Sequence, residues 1–99
     1  MAKRLKSVFT DDMDTCYFTD ESPASRHHIF GGANRKKSEK YHYIMPLAPK
    51  LHQFEKGSVH DSPGTGLDLQ LKQMAQIHYE KNHGSREDFL AEFGKSWLE

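Results

Sequence analysis

Arg26-His27-His28-Ile29-Phe30-Gly31-Gly32 is the stretch whose reading decides the fold. Ile29 and Phe30 favour an extended, half-buried backbone. Gly31-Gly32 ends the strand, because positive φ angles cost glycine nothing. Along a strand successive side chains point to opposite faces, so His27 and His28 cannot serve one ion as equals. One can bind a cation while the other does different work. Neutral imidazole is the commonest protein ligand for zinc and related ions. Downstream, Pro46-Leu47-Ala48-Pro49-Lys50-Leu51-His52 and Val59-His60 supply two further histidines for the same purpose. His42, His78 and His83 stand alone and read as structural or exposed.

Outward from this stretch, Tyr41-His42-Tyr43-Ile44-Met45 carries the clearest strand signal, and Pro46 limits its pairing. The two strands predict an antiparallel hairpin. Its long connection, Asn34 to Lys40, is polar and reads as a loop or a single helical turn, of the kind that carries function. Leu47 to Phe54 is expected to begin a helix with Pro49 in the first turn. Gly57, Pro63, Gly64 and Gly66 place His60 in a loop.

Upstream, residues 1–9 predict a short edge strand, and Cys16-Tyr17-Phe18-Thr19 a strand or knuckle-like turn. Ser22-Pro23-Ala24-Ser25 is a turn by composition. In the C-terminal third, Leu67, Leu71, Met74, Ala75 and His78 recur at helical spacing and predict a core-facing stripe. Thr65-Gly66-Leu67-Asp68 reads as a helix start and Gly84 as its stop. Ser85-Arg86-Glu87-Asp88 opens another helix, with Phe89, Leu90 and Phe93 as its apolar face and Gly94 as its end. Trp97 and Leu98 are expected to pack back onto the domain. The fold class is α+β: a short antiparallel hairpin followed by two or three helices.

A chain of 99 residues, 35% hydrophobic and 28% charged, makes one small domain with a thin core. A cation or partner can add stability that so small a core lacks. No apolar run is long enough to span a bilayer, and the N-terminus lacks a signal-peptide pattern. A single cysteine, Cys16, excludes an internal disulfide framework and fits a reducing cytosol. Net charge is zero, which weakens a simple nucleic-acid reading. The zero hides segregation: Asp11, Asp12, Asp14, Asp20 and Glu21 are acidic, whereas Arg35, Lys36, Lys37 and Lys40 are basic. Each run taken alone reads as a solvated surface.

A His pair on a strand, a glycine turn, an Asn-bearing loop, a second strand and a later His together form the plan of a ββα metal finger. In such a site a divalent cation acts as Lewis acid beside a phosphate, and a remaining His takes a proton from water. The quoted segments, with Asn34-Arg35-Lys36-Lys37-Ser38-Glu39-Lys40-Tyr41 and Phe93-Gly94-Lys95-Ser96-Trp97-Leu98, resemble small phage proteins with an HNH (His-Me finger) endonuclease-like fold. The likeness covers most of the chain from Cys16 onward. It implies His27, His52 and His60 as metal ligands, His28 as general base, and Asn34 as an orienting residue in an active enzyme. It implies Zn2+, or Mg2+ or Mn2+ in a catalytic site. It divides the single domain, 1–99, into an acidic segment (1–25), the metal finger (26–60) and a helical part (65–98).

Members of that family usually carry a zinc knuckle of four ligands, where this chain reads Cys16, Thr19, Ala48 and Leu51. One thiolate cannot make a tetrahedral structural site. Cys16 reads as a small buried hydrophobe, with recruitment to the histidine site as the alternative. Two functions follow. The lost knuckle, zero charge and acidic stretch favour a phage protein that binds and inhibits a bacterial defence nuclease, similar to an anti-CRISPR protein against a type II RNA-guided effector. Asp11, Asp12 and Asp14 would then face the effector's basic channel. The alternative is a metal-dependent HNH endonuclease that hydrolyses DNA, with Arg35, Lys36 and Lys37 along the phosphate backbone. Both act in the host bacterial cytosol.

Overall fold

The computed structural model describes residues 5–54 and 66–98. Strand β1 (Ser25–His28) pairs antiparallel with β2 (Ile44–Leu47), placing Arg26 opposite Pro46 and His27 opposite Met45. This is the expected hairpin, shifted at its second strand. Tyr41 and His42, expected in that strand, instead close helix α1 (Arg35–Tyr41), and His42 takes a left-handed φ of 62° as its cap. Pro46 lies within β2 and not beyond it. A proline is tolerated there because, among the described residues, β2 pairs with β1 alone and nothing asks for its missing N–H. The outer side of β2 is covered instead by the Cys16 turn, whose Tyr17 N–H donates to the Pro46 carbonyl at 2.9 Å.

The expected loop from Asn34 to Lys40 is therefore helical for two turns. Its sequence has no apolar stripe, and tertiary contacts hold it instead. Ser38 is fully buried, and its hydroxyl accepts from Phe30 N–H at 2.9 Å and donates to Phe30 C=O at 2.8 Å. Lys37 donates to the Glu92 carbonyl, and Tyr41 to the Glu92 carboxylate. In the described part of the expected N-terminal edge strand, Val8 N–H donates to the His42 carbonyl at 3.0 Å; residues 1–4 fall outside that part.

Helices α2 (Gly66–Asn82) and α3 (Arg86–Phe93) form the other layer. Leu71 and Ala75 of the expected stripe are fully buried, with Leu67 and Met74 packed at the edge. Asp68, in the first turn of α2, is buried and pairs with Lys72 at 2.7 Å; Thr65, the residue expected to open this helix, lies outside the described residues. Ser85 and Asp88 do form the capping box of α3. A Cβ on Gly84 would lie 2.6 Å from the Asp88 carboxylate, so that box needs glycine before it. Phe89 and Phe93 of α3 stack at 4.7 Å, and Phe93 meets Phe30 at 4.5 Å. Each such ring pair adds about 0.5–1.5 kcal/mol beyond the area it buries. Leu90, assigned to the apolar face, is exposed instead. Trp97 packs back as expected, its N–H donating to Gln76 at 2.7 Å and its ring lying beneath Lys72.

The fold is thus a small α+β domain in which a two-stranded hairpin rests on helices. No helix among the described residues is long and apolar enough to cross a membrane.

Candidate functional site

Strand alternation splits the His pair as the sequence requires. His27 and His28 are both buried, at 7% and 8% exposure, but they meet different partners. The His27 ring packs against His52 with centroids 5.1 Å apart. The His28 ring lies 2.9 Å from the Glu39 carboxylate, Nε2 to Oε2. Two turns bring His52 to this place. At Ala48 the chain leaves β2 and folds on itself, with Leu51 N–H and His52 N–H both donating to the Ala48 carbonyl at 2.9 and 3.1 Å. The short π-helical segment Lys50–Phe54 follows, in place of the longer helix expected from Leu47.

These side chains line one open pocket of about 380 Å³. Its wall combines His27, His28 and His52 with Arg26, Arg35 and Lys72, and Asp68 stands among them. Gly31 and Gly32 form the rim; Gly32 has φ 56°, the left-handed turn that sends the chain from β1 into α1. Cationic side chains therefore surround the imidazoles from three directions: β1, the start of α1 and α2. Asp68, 4% exposed, is paired with Lys72, which also lies over the Trp97 ring at 4.5 Å.

The two imidazoles, meeting edge to face in this open pocket, are two donors of the kind zinc takes, fewer than the three or four protein ligands of a zinc site. Among the described residues no three His, Cys, Asp or Glu side chains cluster closely enough to hold a metal ion. His27 and His52 are two donors, and His60, the third ligand implied by the resemblance, lies outside the described residues.

The remaining sequence candidates fall in other places. The Asn34 amide nitrogen donates to the Phe93 carbonyl at 3.0 Å and ties the start of α1 to the end of α3. Lys37 turns toward α3 as described, and its Nζ also lies 6.0 Å from the Phe93 ring centre. Of the basic run, Arg35 reaches the pocket, whereas Lys36 is exposed and lines no part of it. Asp11 and Asp12 are exposed, and Asp14 pairs with Arg26 at 3.0 Å.

Cys16 lies outside the pocket lining, in a knuckle-like turn closed by Asp20 N–H to Cys16 C=O at 3.0 Å. Burial pushes its thiol up, but bonds from the Thr19 side chain and the backbone of Ala48, Phe18 and Thr19 outweigh it and hold the thiol below its ordinary value. Cys16, Thr19 and Ala48 therefore do come together, and hydrogen bonds occupy the thiol there. At the tip of this turn Tyr17 and Phe18 are exposed, at 42% and 37%.

Sequence reasoning missed Glu39, Lys72 and Asp68. Glu39 is the single acid in a basic run, and Asp68 and Lys72 are four apart on a helix. Both patterns read as ordinary solvated charge. No family model, curated protein or solved structure matches the chain.

Proposed function

We propose that this protein is a metal-dependent phosphodiesterase of the HNH, His-Me finger kind, acting on DNA. The observation that carries the reading is the meeting of His27 and His52, from segments far apart in sequence, in a pocket walled by Arg26, Arg35 and Lys72. His27 and His52 would hold the cation, with His60 as the third ligand the resemblance implies. When bound, the cation polarises a phosphoryl oxygen of the substrate. The chain's own residues do the rest. Arg35 and Arg26 draw a phosphate to the rim, and Lys72 adds charge from the far wall. His28, held beside the pair but not in it, accepts the proton of the attacking water. The new P–O bond forms as the bond to the leaving sugar oxygen breaks, and that oxygen takes up a proton.

The test is nicking of supercoiled plasmid by purified protein in Mg2+, Mn2+ and Zn2+. Activity lost in both His28→Ala and His52→Ala is expected. An intact plasmid in all three metals ends the reading.

A second reading has its own observation. Asp11 and Asp12 are exposed, as are Tyr17 and Phe18, and aromatics beside charge suit a protein interface. They fit inhibition of a bacterial RNA-guided effector nuclease by an anti-CRISPR mode, the acids entering its basic channel. Co-elution with a purified effector and protection of its target DNA would support it. Separate elution and undiminished cleavage by the effector would remove it.

A further inference from the structure

His28 has a carboxylate partner. The ring meets Glu39 at 2.9 Å through Nε2. An ionised carboxylate only accepts hydrogen bonds, so the imidazole must be the donor. Nε2 therefore carries the proton, and in the neutral ring the lone pair is left on Nδ1. We infer that Glu39 is the positioning residue of this site: it clamps His28 as the Nε2–H tautomer and leaves Nδ1 as the basic nitrogen.

The backbone supports this assignment. Glu39 sits on α1 next to Ser38, whose hydroxyl bonds both the N–H and the C=O of Phe30. Phe30 lies two residues beyond His28 on the same stretch. The helix is thus fastened to the end of the strand at the residue adjoining Glu39. Asn34 fastens its other end to α3. With both ends held, the carboxylate loses little further freedom on meeting the ring, the condition under which a hydrogen bond orients well. Glu39 is only partly exposed, at 25%, so water competes weakly for the ring nitrogen.

The inference rests on the hydrolase reading for its consequence, but the tautomer is observable without it. Long-range 1H–15N spectra of the neutral His28 ring should show a protonated Nε2, its proton exchanging slowly. Glu39→Ala should abolish the slow exchange, and Glu39→Gln, whose amide oxygen can accept the same bond, should largely keep it. In plasmid nicking, Glu39→Ala should lower kcat by about 10- to 100-fold, the usual effect of an outer partner of a site histidine. KM and cation affinity should stay within about twofold, and Glu39→Gln should recover most of kcat. A protonated Nδ1 in the wild type, or an Nε2 proton equally slow in Glu39→Ala, overturns the inference. An Nε2–H signal that depends on Glu39, in a protein that cuts nothing, upholds the clamp and ends the hydrolase reading.

Discussion

The amide nitrogen of Asn34 donates to the carbonyl of Phe93 at 3.0 Å, joining the start of α1 to the last residue of α3. Phe93 is the residue whose ring meets Phe30 at 4.5 Å, tilted, just past the His pair. The polar loop residue and the aromatic core are therefore parts of one clamp around the site. Asn34 supports the pocket from behind.

Replacing Asn34 by Ala should accordingly act on stability first. Loss of one partly buried hydrogen bond costs about 0.5–1.5 kcal/mol. In a domain of this size each kcal/mol lowers the melting temperature by roughly 4–8 °C. Cation affinity should be unchanged in the folded fraction. A thermal melt equal to the wild type, together with loss of activity, would show that Asn34 acts at the site directly.

His78 gives the fold a dependence on acid. Burial, and then repulsion from His83, holds its imidazole below the ordinary value. The groups around it are the Tyr43 hydroxyl, 3.2 Å from Nδ1, the His83 ring at 5.7 Å and the Phe9 ring at 6.1 Å. The native state favours the neutral ring, so below pH of about 6.5 the unfolded chain takes up the proton first. The stability from this residue is complete above that pH and is lost as pH falls toward the depressed native value. Urea midpoints for His78→Gln should fall less between pH 7.5 and 5.5 than those of the wild type. Parallel declines would dismiss the role.

Cys16 combines a thiol held below its ordinary value with a closed surface. Hydrogen bonds outweigh burial to hold the thiol below its ordinary value, yet the residue is only 1% exposed. Reaction with iodoacetamide should be slow in the native protein and become fast in urea, because burial limits access to the sulfur. Cys16→Ala should destabilise by about 1–2 kcal/mol through lost packing and unpartnered amides. Rapid native labelling would place the thiol at the surface.

What the sequence made legible was the part with a local code. The His pair before two glycines, the helix start at Ser85 and the stripe Leu71–Ala75 each declare themselves within a few residues. Helix α1 did not, because Arg35-Lys36-Lys37-Ser38-Glu39-Lys40 has no apolar period; Ser38 earns its burial only through Phe30, across the turn. The same helix took Tyr41 and His42 from the expected strand. Glu39 and Lys72 were hidden for a related reason: a charge that meets a buried ring or lines a pocket has the same letter as one that faces water. The histidines were legible as chemistry, whereas the partner each one meets depended on the fold.

The central claim is that His27 and His52 close on one divalent cation. Isothermal titration of metal-free protein with Zn2+, beside His27→Ala, His52→Ala and His28→Ala, tests it directly. One equivalent should bind the wild type and His28→Ala, with at least tenfold weaker binding, about 1.4 kcal/mol, in the other two. Equal affinity in all four proteins, or no binding to a wild type that melts cooperatively, would contradict it.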